Sequence, residues 1–406
     1  MPKINLNKCP KKFNPKFFVW YALCITLLAV SSTDIYVSSL PQMTKDFKTS
    51  PNLVNLTISS YTLTLALAVL FVGILSNHFG RKKTILSGIV AFTLASFLIG
   101  ISNTIPLMII FRVVQAIGCA CIAIVPRLVL KDTMSARDQV HAVGILTIGI
   151  ILSPAIAPSI GAVLAELWGW RSCFFLSGIS GAILFIAGNF IVQETNTTPV
   201  KQLKPFIQYI KDYFSLLNNH VCICITVFNA CTFAISFVFI GISSYLFIDT
   251  LHMAPLAYSY LFIVIALGYF AGNSIMMILN KRQFSSIKIM RIGIYASSVG
   301  LLVLLSSIVF NAQLAIVICV TLGVVIMRAA SALIIAPAQV KILEHFQERG
   351  VLALGLSSAM QFTCASLATS LVAVFYSNAL YGLLGVSAMF FLPTVFLMAK
   401  LRKLLN

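Results

Sequence analysis

Charge is what this sequence has least of. Asp and Glu number 10 in 406 residues, Lys and Arg number 28, and charged side chains of either sign make up only 9% of the chain. Soluble domains carry about 25% charged residues, so a water-facing exterior is excluded. Histidine is sparse as well, 5 in all, and no H-E-x-x-H or comparable ligand spacing occurs. That removes the hydrolytic and structural metal readings, and neither metal nor cofactor is expected. An intramembrane enzyme would need two catalytic carboxylates or a Ser/His pair, whereas one carboxylate lies deep in an apolar run. The ten cysteines fall mostly inside apolar runs, and Cys119/Cys121 and Cys222/Cys224 are spaced so that each pair diverges on a helix. They read as packing residues.

What is present is apolar: 59% of the chain is hydrophobic. A spanning helix needs about 20 mainly apolar residues. Twelve such runs can be marked, at 17–40, 53–76, 84–101, 106–130, 140–165, 172–192, 220–248, 257–279, 289–309, 313–338, 351–374 and 379–399. The fold class is therefore an all-α membrane protein of twelve transmembrane helices. The first run is too long for a secretory signal, and no small-residue cleavage site follows it, so it is retained as helix 1.

Basic residues set the orientation. Lys3, Lys8, Lys11, Lys12 and Lys16 precede the first run, and Arg81, Lys82, Lys83, Lys131, Arg137, Lys201, Lys204, Lys281, Arg282, Lys341, Arg349 and Lys400 fall in alternate connections and the tail. The opposite connections hold Lys45, Lys48 and Arg171. By the positive-inside rule both termini are cytoplasmic, and the net charge of +18 is topology and attraction to anionic lipid rather than nucleic-acid binding. The longest connection, 193–219, separates a six-helix bundle at 1–192 from a second at 220–406. "CIAIVPRLV" (121–129) in span 4 echoes "ALIIAPAQV" (332–340) in span 10, which suggests duplicated halves around a central site.

Asp34, in "SSTDIYVSSLPQM" (31–43), poses the sharpest question, because an ionisable group in hydrocarbon costs from ~3 to over ~10 kcal/mol. Helical spacing puts Ser31, Ser38 and Pro41 on its face, the pattern of a wet cavity wall. A structural ion pair anchoring helix 1 is the alternative. Arg112 in span 4 lies at a similar depth, roughly 10 Å below the outer surface at 1.5 Å per residue, and is the expected partner; Gln115 and Cys119 continue its face. A carboxyl beside a guanidinium gains or loses a proton as water, solute or the cation moves, which is the minimum machinery for proton-coupled transport. Arg328 in span 10 either faces the same cavity, favouring neutral, zwitterionic or anionic solutes over dications, or is a structural arginine capped by carbonyls. Tyr61 and Gln361 are further cavity candidates. Between spans 2 and 3, Gly80 permits a tight turn and Arg81 can reach helix ends or carboxylates at the inner surface.

Several stretches carry a resemblance. "GILSNHFGRKK" (73–83) resembles the loop signature G-x-L-[SA]-D-R-x-G-R-[KR]-[KR] of the major facilitator superfamily, "RVVQAIG" (112–118) its span-4 motif, and "SPAIAPSIGAVL" (153–164) the span-5 motif of antiporters, here through Pro154, Pro158 and Gly161. "STDIYVSSLP" (32–41), "PRLVLKD" (126–132), "GWRSCFF" (169–175) and "LGLSSAMQF" (354–362) are together similar to the bicyclomycin and chloramphenicol resistance branch, the Bcr/CmlA drug exporters. The resemblance implies the major facilitator fold, rocker-switch alternating access, and efflux of small molecules or drugs in exchange for protons across the bacterial cytoplasmic membrane by a monomer. It also implies proton coupling at Asp34 and Arg112, and a cytoplasmic gate at Gly73, Gly80 and Arg81. Asn77 stands where the signature has Asp, His78 where it has Arg, and Ala116 where span 4 has Gly. Asp132 is the candidate for the missing gate carboxylate. A proton-driven uptake carrier on the same scaffold is the alternative function.

Overall fold

The structure, a computed structural model, describes residues 14–196, 206–346 and 349–405. Fourteen α-helices follow one another in those residues: α1 (Pro15–Asp34), α2 (Leu40–Asp46), α3 (Pro51–Phe79), α4 (Arg81–Gly100), α5 (Ile105–Thr133), α6 (Ala136–Trp168), α7 (Arg171–Ile191), α8 (Phe206–Leu217), α9 (His220–Ser244), α10 (Pro255–Lys281), α11 (Ser286–Ser306), α12 (Gln313–His345), α13 (Gly350–Ala373) and α14 (Ala379–Leu405). Eleven spans among the described residues are long and apolar enough to cross a membrane, the first of them running Pro15–Asp46 through α1 and α2. The twelfth is α6, a continuous helix of 33 residues whose apolar part includes Leu152–Trp168. Large apolar side chains such as Ile183, Phe190, Leu302 and Phe396 point outward, as a lipid-facing exterior requires.

Local chemistry sets the boundaries. Asn14 accepts from the Lys16 and Phe17 amides with Pro15 in the first helical position, which starts α1. Asn219 caps α9 in the same way. Between α3 and α4 the chain turns at Gly80, whose φ of +97° suits glycine. Within each half one glycine pair lets two helices touch backbone to backbone: Gly118 on the Gly88 carbonyl joins α5 to α4, and Gly323 on the Gly300 carbonyl joins α12 to α11.

Three features depart from the apolar runs. The helices overrun the apolar limit at the end rich in basic residues, as α12 does by continuing to His345. The connection at 193–219 contains α8, whose Tyr213 and Leu216 pack into the second half while Ile207 and Phe214 stay exposed. Most consequential, the first span is not one helix: α1 stops at Asp34, a 3-10 turn covers Val37–Ser39, and α2 resumes. Lys3, Lys8, Lys11, Lys12, Lys201 and Lys204 lie outside the described residues.

The halves meet where α3 packs on α13 and α6 on α10. Hydrogen bonds between spanning helices of opposite halves lie, among the described residues, at the end away from the basic loops. Asn55 Nδ2 donates to the Gly241 carbonyl at 3.0 Å, Ser59 and Thr369 hydroxyls meet at 2.8 Å, Ser366 donates to the Ser59 carbonyl at 2.8 Å, and Thr44 meets Tyr245 at 3.2 Å.

Candidate functional site

The break after α1 organises the first half. Where a helix ends, its last carbonyls lose their intrahelical donors, and here the partner arrives from α5. Arg112 Nη1 donates to the Ser32 carbonyl at 3.1 Å and to Gln115 Oε1 at 2.6 Å, and Nη2 donates to Tyr36 Oη at 2.6 Å. The guanidinium lies between aromatic faces, 4.5 Å from the Tyr36 centroid and 4.4 Å from that of Tyr61. Tyr61 is tied to the Ser32 hydroxyl at 2.6 Å, and Gln115 Nε2 donates to Ser96 at 2.7 Å. Arg112, Gln115, Tyr61 and Tyr36 are all buried. This arginine is the C-terminal cap of a broken helix, held by neutral acceptors and rings.

The expected Asp34–Arg112 pair does not form. Among the described residues the ion pairs are Lys45–Asp249, Arg81–Asp132 and Lys341–Glu344, and no hydrogen bond holds the buried Asp34 carboxylate. Arg112 reaches the backbone two residues before Asp34 and turns toward Tyr36. The cation that acts on Asp34 electrostatically is Arg328 of α12, in the other half. Arg328 Nη1 donates to Ser236 of α9 at 2.6 Å, and its guanidinium sits 5.3 Å from the Tyr269 ring of α10. The carboxylate and its balancing cation thus belong to opposite halves of the molecule.

Other predicted cavity residues divide. Ser31 donates back to the Leu28 carbonyl, the ordinary habit of a helical serine. Ser38 is buried in the 3-10 turn and Gln361 is buried in α13; the Ser38 hydroxyl and Gln361 Nε2 have no partner among the described residues. Tyr61 and Gln115 belong to the Arg112 cradle rather than to an open wall. Pro154 and Pro158 lie within α6, and Gly161 explains why that helix can approach the break: a Cβ there would collide with the Ile35 carbonyl. Among the described residues no three His, Cys, Asp or Glu side chains gather as a metal site.

At the basic end, Arg81 gathers the loop. Its Nε pairs with Asp132 Oδ2 at 2.8 Å and its Nη1 donates to Ser76 at 2.9 Å. A residue outside the sequence reading completes the arrangement: Glu194, just past α7, accepts from the Arg81 amide at 2.9 Å and the Lys82 amide at 3.2 Å, so a carboxylate caps the first turn of α4. Gly80 is needed for that contact, since a Cβ would meet the Glu194 carboxylate. Asn77 takes part through its carbonyl, which accepts from Asn196 Nδ2 at 2.8 Å. Gly73 has open space around it. The sequence cue for Glu194 was faint, one acid beyond the end of a span.

The linker helix makes its own crossing. Tyr213 Oη donates to the Leu70 carbonyl of α3 at 3.0 Å and lies 3.7 Å from where a Cβ on Gly355 of α13 would sit. Burial, with Asp212 adding to it, pushes the Tyr213 phenol up to about 12, so it stays a donor at neutral pH.

Comparison with known proteins agrees with this architecture. The sequence is similar to an uncharacterised transporter of Rickettsia bellii (strain RML369-C), 26% identical over 300 residues that make up 71% of each chain. It is also similar to multidrug resistance protein D of Escherichia coli (strain K12), 26% identical over 236 residues, 55% of this chain and 59% of that protein. Among solved structures it superposes on a D-xylose-proton symporter with a TM-score of 0.74 at 15% identity, covering 95% of this chain and 97% of that one. The profile of the Major Facilitator Superfamily matches residues 22–369. A twelve-helix chain with this topology and that match is a multi-pass membrane transporter and belongs to the Major Facilitator Superfamily.

Proposed function

We propose that the protein exports small molecules, drugs among them, in exchange for protons, as a member of the Bcr/CmlA branch acting as a monomer in the bacterial cytoplasmic membrane. Its basic end and both termini face the cytoplasm in this reading. Residues 1–192 and 220–406 are the rocking halves, 193–219 joins them, and the state described is closed at the outer end.

One observation carries the reading: Asp34 is buried at the break of the first span with no ion pair or hydrogen bond among the described residues, while the cation Arg328 lies in the opposite half. Rocking the halves alters the distance between the two charges, so Asp34 holds a proton differently in the two states. That is energy coupling without a chemical step. Arg112 serves it indirectly by fixing the break that presents Asp34. The names of the multidrug-resistance relatives support a drug-like cargo. The Arg81–Asp132–Glu194 cluster would supply the cytoplasmic gate, with the charge that Asn77 lacks provided from α5 and from the residue past α7.

The test is transport of chloramphenicol in proteoliposomes under an imposed pH gradient. One proton moving through about 100 mV is worth ~2.3 kcal/mol, roughly a fiftyfold solute gradient. Wild type is expected to accumulate the compound on the side from which protons leave, and Asp34→Asn is expected to lose that accumulation while retaining solute exchange. Driven flux undiminished in Asp34→Asn would defeat the coupling; accumulation with the proton flow instead of against it would make the protein an importer.

A further inference from the structure

The second half encloses a small cavity of ~20 Å³, room for about one water-sized body. Polar side chains from four helices line it: Thr232 and Ser236 from α9, Ser297 from α11, Arg328 from α12 and Ser387 from α14, with the Thr232 hydroxyl spending its proton on the Phe228 carbonyl. Apolar side chains such as Leu304 and Met327 complete the wall.

Ser297 and Ser387 are 3% and 2% exposed, and both line the cavity. Ser236 accepts from Arg328 Nη1, which leaves its own proton free. Arg328 is a permanent cation with donors to spare, and no carboxylate is among the described lining residues. The hydroxyls of Ser236, Ser297 and Ser387 can each turn a proton inward, and a guanidinium with no carboxylate in the wall leaves the site with a net positive charge that an anion offsets and a neutral water does not. We propose that this cavity is a binding site for a small inorganic anion, chloride in particular, ligated by Ser236, Ser297, Ser387 and Arg328.

The site also has a built-in competitor. Asp34, the buried carboxylate at the break of the first span, and the Tyr269 ring, 5.3 Å from the guanidinium, are the groups that bear on Arg328. A charged Asp34 therefore opposes the anion, and removing its charge favours binding; the relation is reciprocal. This inference does not depend on the transport reading, because it is tested by ligand binding to the purified chain.

The experiment follows thermal unfolding of the full chain in detergent, titrating sodium chloride against sodium gluconate at constant ionic strength. A ligand that binds the folded state raises the midpoint with concentration. The midpoint is expected to rise with chloride, to rise likewise with bromide, and to ignore gluconate. Ser297→Ala combined with Ser387→Ala is expected to weaken the apparent affinity at least tenfold, and Asp34→Asn to strengthen it several-fold. Arg328→Gln is expected to abolish the response; should that variant fail to fold, the serine pair carries the test. Equal midpoints in chloride and gluconate for wild type would overturn the proposal, as would a chloride response unchanged by the double serine substitution.

Discussion

Each half of the molecule carries an arginine in the middle of a spanning helix, the buried Arg112 in α5 and the half-buried Arg328 in α12, and the two are served in opposite ways. Arg112 is completely covered, spends three hydrogen bonds on Ser32, Gln115 and Tyr36, and is flanked by two tyrosine rings. Arg328 has one side-chain bond, to Ser236, and otherwise looks onto a cavity and toward a distant carboxylate. A cation packed among fixed neutral acceptors and aromatic faces is part of the scaffold. One bonded to a single serine at the edge of a cavity has donors left for a ligand. The same residue type at comparable places thus serves architecture in the first half and reactivity in the second.

The comparison breaks or sharpens in a definite order of effect. Arg112→Met strands the Ser32 carbonyl and Gln115 Oε1 at about 1–3 kcal/mol each, while Tyr36 Oη keeps Thr57, so a loss of roughly 2–6 kcal/mol of stability is expected, against about 1–2 kcal/mol for Arg328→Met. Thermal or denaturant unfolding in one detergent measures both, and equal losses would remove the distinction. Tyr36→Phe deletes an acceptor from a charged donor, worth about 1.5–3 kcal/mol, whereas Ser236→Ala leaves Arg328 other outlets and should cost about half as much. The same unfolding assay reads that ratio. Smaller again is the pair of glycine substitutions: Gly161→Ala must push α6 off the Ile35 carbonyl at about 1–3 kcal/mol, while Gly73→Ala has open space and should gain up to about 1 kcal/mol from helix propensity. If Gly161→Ala is neutral, the break in the first span is not held as tightly as its packing implies.

Much of this was legible in the sequence. Twelve spans could be read because lipid forces every backbone group into a helix and each helix into an apolar run. Asp34, Arg112 and Arg328 stood out because charge in such runs is costly, and Asp132 was the candidate for the gate carboxylate that Asn77 does not supply. The Asp34–Arg112 pairing failed for a geometric reason: residue counting gives depth along a helix, but azimuth depends on which way the helix is rotated and where it breaks. The break itself had little signal, since Asp34, Ile35 and Tyr36 carry no helix-stopping residue and Pro41 comes later. Glu194, Ser297 and Ser387 were invisible because an acid after a span and a serine within one are common, and only tertiary placement gives them work.

The seam at the end away from the basic loops has a consequence for how the machine is driven. Its hydrogen bonds join amides, hydroxyls and carbonyls, and the ion pair across it among the described residues, Lys45–Asp249, is long at 3.9 Å and exposed. Water can replace neutral partners of this sort almost without loss, and a loose surface pair contributes little. Unzipping that seam therefore moves no buried charge and responds little to voltage. A membrane potential finds no lever there, and the directionality of the cycle has to be imposed from the interior charges.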